Sequence, residues 1–211
     1  MSPMGLKRWR RRTVPLEDTV ADDRWLVVGL GNPGDRYDGT RHNVGADAVR
    51  ALAEREHGTW SRNKRARCSI AEVRLPAGRI VLAVPEAYMN RSGDPTQAAA
   101  AWYKVPVERI VVCHDDLDLE PGRLRLKRGG GHAGHNGLKD IDRALGSQDY
   151  HRVRIGIGRP PGRMPAKDHV LRRFAPAERE TVDVVLAEVA DAIEVLVTEG
   201  LEPAQNRYHG R

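Results

Sequence analysis

A glycine-rich turn in this chain carries a histidine and two amides. It runs Gly29-Leu30-Gly31-Asn32-Pro33-Gly34, then Tyr37, then Thr40-Arg41-His42-Asn43. The apolar run Trp25-Leu26-Val27-Val28 stands directly before it and reads as a strand. Loops held at the end of a rigid strand are where reactive groups are presented. An imidazole titrates near neutrality, so His42 can take a proton from water at working pH. Asn32 and Asn43 are neutral amides that both donate and accept. Taken alone, the segment reads equally well as a tight turn with a surface histidine, so its neighbours in the chain decide.

Three further segments have the same character. Val84 runs into Pro85-Glu86-Ala87-Tyr88-Met89-Asn90-Arg91-Ser92-Gly93, and Cys113 into His114-Asp115-Asp116-Leu117-Asp118. Gly129-Gly130-Gly131-His132-Ala133-Gly134-His135-Asn136-Gly137-Leu138 then leads into a helix. Each has a structural explanation by itself, since asparagine suits turns, aspartate caps helices and glycine relaxes the backbone. Polar groups beyond several strand-like runs are nevertheless what an α/β active site requires. The spacing Gly29-x-Gly31-x-x-Gly34 also matches the dinucleotide-binding fingerprint, but the context is wrong for it. Residues 35–40 lack a helical apolar face, and the region near residue 50 reads as helix rather than as a strand ending in a ribose-binding acid.

The elements that must position these groups are strands over 25–30, 69–75, 79–84, 109–114 and 152–158. Pro76-Ala77-Gly78 is short enough to make the second and third an antiparallel hairpin. Helices are expected over Val44–Glu56, Thr96–Tyr103 and Asn136–Leu145, the last with Asn136 as a suitable N-cap. Val182, Val185, Leu186, Val189, Ile193, Leu196 and Val197 recur at three- and four-residue spacing and mark a final core-facing helix ending at Gly200. Alternating strands and helices imply one α/β domain, with a mixed, mostly parallel twisted sheet flanked by helices.

The 211-residue chain carries a formal charge of +6 and a pI near 9.6, which favours a polyanionic partner. Aromatic residues make up only 5%, so base stacking is not an evident recognition mode. Arg123, Arg125, Lys127 and Arg128 precede the triple glycine, with Arg125 and Lys127 alternating on an extended segment. Cys68 and Cys113 have no CxxC partner and offer neither a zinc site nor a disulfide framework, which suits a reducing cytoplasm. No run of 18 apolar residues is present, which excludes a membrane-spanning helix, and no apolar segment follows the arginines at 8–12 as a secretion signal would need. Residues 1–24 read as a flexible basic-to-acidic extension, and 25–211 as the catalytic domain.

With these segments in hand, the chain resembles the bacterial-type peptidyl-tRNA hydrolases. The matching stretches are GLGNPG-x-x-Y-x-x-TRHN-x-G at 29–45, YMN-x-SG at 88–93, HDDLD at 114–118 and GGGHAGHNGL at 129–138. RVRIGIGRP at 152–160 and Asn206-Arg207 also fit, so the similarity spans about residues 25–208. Ala87 and Ala133 depart from the family's frequent Thr and Gly. The resemblance implies hydrolysis of the ester between a peptide and the terminal ribose of tRNA, without cofactor or metal, by a cytoplasmic monomer. It implies His42 as general base, Asp115 as its orienting carboxylate, and Asn32, Asn90 and Asn136 around the ester, water and oxyanion. Tyr37, Asn43, Met89 and His135 would line the cleft. Arg125 and Lys127 would meet acceptor-stem phosphates, and the glycines at 129–131 would form a cradle or flap.

Two alternatives follow from the residues. His114, Asp115, Asp116, His132 and His135 could serve a metal hydrolase, although His132-Ala133-Gly134-His135 reads as loop and not as the helical HExxH pair. A non-catalytic RNA-binding relative would need neither a base nor its orienting carboxylate, and both are present.

Overall fold

Strand β1 (Trp25–Gly29) runs through the middle of a seven-stranded sheet and has apolar partners on both faces. In this computed structural model, which describes residues 24–210, Val27 packs in one cluster with Val49 and Leu52, while Leu26 and Val28 pack in another with Leu138 and Ile141. Side chains alternate across a strand, so burial on both faces yields the uninterrupted apolar run seen in the sequence. The other strands are β2 (Ser61–Asn63), β3 (Cys68–Leu75), β4 (Gly78–Pro85), β5 (Ile110–Asp116), β6 (Leu124–Arg128) and β7 (His151–Gly156). Their order is β2-β3-β4-β1-β5-β7-β6.

The four central strands β4, β1, β5 and β7 are mutually parallel, as expected. The β3–β4 hairpin is antiparallel across Pro76-Ala77, also as expected. Two more antiparallel pairs, β2 with β3 and β6 with β7, close the edges of the sheet. Neither β2 nor β6 was legible as a strand with a partner, because β2 is three residues long and β6 is rich in cations.

Helices α1 (Val44–Arg55) and α5 (Pro176–Glu199) cover one face, and α2 (Gly93–Tyr103) and α3 (Asn136–Leu145) the other. Helix α2 starts three residues earlier than its apolar pattern suggests. Gly93 opens it against the carbonyl of Asp140, where a side chain would collide, and the Gly93 amide donates to Asp140 Oδ2 at 2.7 Å. Two short helices escape the periodicity argument: α4 (Ala166–Val170), and α6 (Leu201–Tyr208) just beyond Gly200. The expected extension over residues 1–24 lies, apart from Arg24, outside the described residues. No described helix is long and apolar enough to cross a membrane.

Chain direction explains where the site forms. The chain leaves β1 through α1 toward β4, then crosses on the opposite face through α2 to β5. The strand order therefore reverses at β1, and a crevice opens beyond the carboxyl ends of β1, β4 and β5 at such a point. Helix α1 is drawn onto this end: Leu30 N donates to Cys113 O at 3.1 Å and Ala46 N to Leu30 O at 2.9 Å.

Candidate active site

Asn43 sets the first loop. Its Oδ1 accepts from the Asn32 amide at 2.8 Å and its Nδ2 donates to the Asn32 carbonyl at 3.0 Å, so both ends of the side chain hold the Asn32 backbone. Asn32 Oδ1 in turn accepts from the Met89 amide at 2.8 Å, joining the loops after β1 and β4. Both residues expected to line the cleft are thus bound into its frame. Asn43 is buried under the loop, and Met89 is buried beside α3 with its sulfur near Gly137 and His135. A buried amide is stable only when both of its polar atoms are satisfied, and the loop backbone satisfies them here.

Next to Asn43, in a short 3-10 turn, His42 presents Nδ1 to Asp115 Oδ1 at 2.8 Å. Asp115 is not in a loop as expected but on β5, which runs on through Asp116, and it is 4% exposed. The same Oδ1 also takes His135 Nε2 at 2.9 Å. His135 caps α3, a place the sequence pattern gave to Asn136: its Nδ1 accepts from the amides of Gly137 and Leu138 at 3.1 and 3.3 Å. Those two amides fix the His135 lone pair on Nδ1 and its proton on Nε2. One carboxylate oxygen therefore receives an N–H from each imidazole, and His42 Nε2 is left with its lone pair free.

Electrostatics reinforce the arrangement. Burial pushes the Asp115 carboxyl up, but the two imidazoles outweigh it and hold it well below the usual carboxylate range. Burial pushes His42 down, and Asp115, through charge and hydrogen bond, lifts it above its ordinary value. His114, the next buried imidazole, is driven to about 3 by burial and by His135, and its Nδ1 lies 2.8 Å from the Asp115 carbonyl. It is a neutral structural ring.

These groups floor a cavity of about 440 Å³ whose rim includes Asn136, Lys127, Arg154 and, from α4, Lys167 and Val170. A cavity of this size suits a small ligand or the end of a larger one. The remaining expected site residues lie elsewhere. Asn32 faces a smaller groove of about 170 Å³ with Pro33, Gly34 and Glu86, and Asn90 is exposed on the turn before α2. Tyr37 is held by Arg36, whose NH2 donates to its hydroxyl at 2.6 Å, and meets the exposed Tyr88 edge-on at 6.3 Å. Arg125 points away from the cavity: its NH1 donates to the carbonyls of Leu124 and Tyr208. An alternating register is not enough to keep a long side chain at a site when a helix end offers it acceptors.

Arg154 and Lys167 were missed. The signal lay in Arg152-Val153-Arg154, whose arginines share a face, but only the β6–β7 pairing, with Lys127 opposite Arg152, shows that this face carries Lys127 too. Arg152 is fully buried against the Tyr150 ring and donates to the Gly131 carbonyl at 2.8 Å, tying the triple glycine to the sheet. Burial and then Arg152 and Arg154 lower the Lys127 ammonium, while Asp116 balances Arg154 at 2.7 Å.

Among the described residues, the one set of three that could hold a metal ion is His42, Asp115 and His135, with ligand atoms within 4.8 Å of one another. It is not the set expected from sequence. Asp116 is engaged by Arg154, and His132 Nδ1 accepts from Gly134 N. In the set that does form, both imidazole protons are committed to Asp115, and a metal ion would have to displace them.

A histidine oriented by a buried carboxylate, at the strand ends of an open α/β sheet and under a cationic rim, has the geometry of an enzyme site and suits an anionic substrate. The family model described as peptidyl-tRNA hydrolase matches residues 26–211. The chain is 55% identical over 188 residues to the peptidyl-tRNA hydrolase of Frankia alni, covering 89% of this chain and 95% of that one. It is 52% identical over 196 residues to that of Streptomyces coelicolor, covering 90% and 98%. The crystal structure of peptidyl-tRNA hydrolase from Acinetobacter baumannii superposes with a TM-score of 0.82 at 36% identity, covering 89% of this chain and 95% of that one. The chain belongs to the peptidyl-tRNA hydrolase family.

Proposed function

We propose that the protein hydrolyses the ester between the peptide and the terminal ribose of peptidyl-tRNA, with His42 as general base. The observation that carries the reading is the 2.8 Å contact of His42 Nδ1 with Asp115 Oδ1 on the floor of a cation-rimmed cavity. His42 Nε2 accepts a proton from water as the water oxygen attacks the ester carbonyl carbon. Asp115 holds the tautomer and stabilises the imidazolium that forms. The tetrahedral intermediate collapses by expelling the ribose oxygen, which takes the proton back from His42. Free tRNA and free peptide result.

Amide N–H groups stabilise the oxyanion, and one well-placed donor contributes about 3–4 kcal/mol. Asn136, at the start of α3, lines the same cavity as His42 and takes this role, with Asn32 and Asn90 toward the peptide end. Lys127, Arg154 and Lys167 meet tRNA phosphates, which makes affinity fall as salt rises. The same reading describes a cytoplasmic monomer, with both cysteines buried as free thiols.

The test is incubation with an N-acetylated aminoacyl-tRNA, with and without a chelator, measuring free tRNA. Release that survives chelation and disappears in His42→Ala, with tRNA binding retained, is expected. Release abolished by chelator and restored by a divalent metal would replace the base mechanism with a metal-assisted one at His42, Asp115 and His135.

A further inference from the structure

Arg41, next to the proposed base, has no role in that chemistry and is nonetheless 8% exposed, with both terminal guanidinium nitrogens engaged. Its NH1 donates to the carbonyls of Arg172 and Arg173, at 3.3 and 2.9 Å. Its NH2 reaches both oxygens of Glu178, at 2.8 and 2.7 Å, and the guanidinium lies 5.0 Å from the Phe174 ring. The backbone repeats the connection: Arg41 N donates to Arg172 O at 3.0 Å, Phe174 N to Gly39 O at 3.3 Å, and Thr40 bridges Arg173. Glu178 also accepts from Ala175 N at 2.6 Å, capping α5, so the carboxylate sits on a fixed helix end.

The chain held this way is the return from α4. That helix gives Lys167 and Val170 to the cavity, and on its other side His169 Nε2 lies within reach of the carbonyls of Ile157 and Gly158. The α4 wall thus has two tethers, one to the exit of β7 and one to the turn that bears His42. His42 itself has separate supports, Asp115 on one side and the Asn43 clamp on the other.

We propose that Arg41 is a positioning residue whose fork, closed on Glu178 and the carbonyls of Arg172 and Arg173, holds the α4 wall over the base so that Lys167 engages the tRNA end. Loss of the fork frees the wall and leaves the base in place, so the effect falls on substrate binding. Lysine cannot replace the arginine, because a single ammonium does not span two carbonyls and a carboxylate in one plane. The proposal rests on the peptidyl-tRNA reading for its substrate but not for its geometry.

Steady-state hydrolysis of peptidyl-tRNA is measured for the natural protein, Arg41→Lys, Lys167→Ala and the double variant. Arg41→Lys is expected to raise KM tenfold or more with kcat within threefold. In the Lys167→Ala background the same change is expected to add less than twofold, since the two act through one contact. Additive effects, or a fall in kcat at unchanged KM, overturn the proposal. Should Arg41→Lys not fold, Glu178→Gln replaces it, because its amide oxygen still caps Ala175. Amide hydrogen exchange separates this proposal from the reading beneath it: faster exchange over 166–174 with no change over 110–116 is expected whatever the protein hydrolyses. Unchanged exchange over 166–174 overturns the proposal even if the ester is cleaved.

Discussion

Asp115→Asn tests the electrostatic core of the site, because it removes a charge while leaving a side chain of the same shape. The carboxylate oxygen that matters accepts from His42 at 2.8 Å and from His135 at 2.9 Å. An asparagine carbonyl can occupy that place and accept both N–H groups, so the tautomers survive. What is lost is the negative charge facing the imidazolium that forms at His42. For unit charges about 4–5 Å apart at an effective dielectric near 20, that attraction is about 3–4 kcal/mol. At 1.36 kcal/mol per decade, the plateau rate falls roughly 10²–10³-fold. This is less than the ~10⁴-fold of a triad that loses its tautomer as well.

The pH profile carries the sharper signature. Burial lowers His42 and Asp115 overrides it, so the natural protein is expected to show its acid limb above the ordinary 6.5. Without the carboxylate only burial remains, and the midpoint drops below 6.5. The variant is thus slower but keeps its base form to lower pH. The assay is kcat/KM for an N-acetylated aminoacyl-tRNA across pH, which reports groups of the free enzyme. A midpoint that stays in place or rises would refute the reasoning, as would a loss smaller than tenfold.

Lys127→Ala is expected to weaken tRNA binding and lower the slope of log affinity against log salt by about one, leaving cleavage of a minimal peptidyl-adenosine ester intact; equal loss on the minimal ester would place Lys127 in the chemical site. Gly45→Ala should destabilise the fold by about 2 kcal/mol or more, since its methyl would run into the Cys113 carbonyl where α1 crosses β5. For a domain of this size that is a fall in Tm of roughly 4–8 °C, and an unchanged Tm would contradict the close approach. Cys68 and Cys113, both pushed up to about 12 by burial, should resist alkylation at pH 8 in the native protein and react fully in denaturant. Rapid native alkylation would show that these strands open readily.

The parallel core was legible because its cause is local. Val27, Val111 and Leu82 lie in strands buried on both faces, and such strands advertise themselves as unbroken apolar runs. The α5 stripe was legible for a similar reason, since Val182 through Val197 keep a helical period with one face in the core. The partner of strand β6 was not, because Arg125, Lys127 and Arg128 mark an extended segment without showing that β7 pairs with it. Helix α4 was hidden by its length, five residues between proline and a turn, too short for any period to emerge.

The site divides along the same line between what a residue is and where its neighbours are. His42 stood out by type, and the family resemblance paired it with Asp115; the fold brings the two into contact at 2.8 Å although they are 73 positions apart. Asn43 and Arg125 hold backbone groups, a use their chemistry serves as readily as binding. Which use an amide or a guanidinium serves depends on the nearest unsatisfied carbonyl or N–H, and that is a property of the fold. His135 shows both sides. Its type suggested a ligand or a binding group, yet the amides of Gly137 and Leu138 take its Nδ1 and leave Nε2 for Asp115. A helix N-terminus thereby dictates the tautomer of one imidazole, and that imidazole shares a carboxylate oxygen with His42, the proposed base. Displacing that cap, as in His135→Ala, should therefore leave the Asp115 oxygen to His42 alone, and an unchanged pH profile of hydrolysis would show that the sharing has no effect.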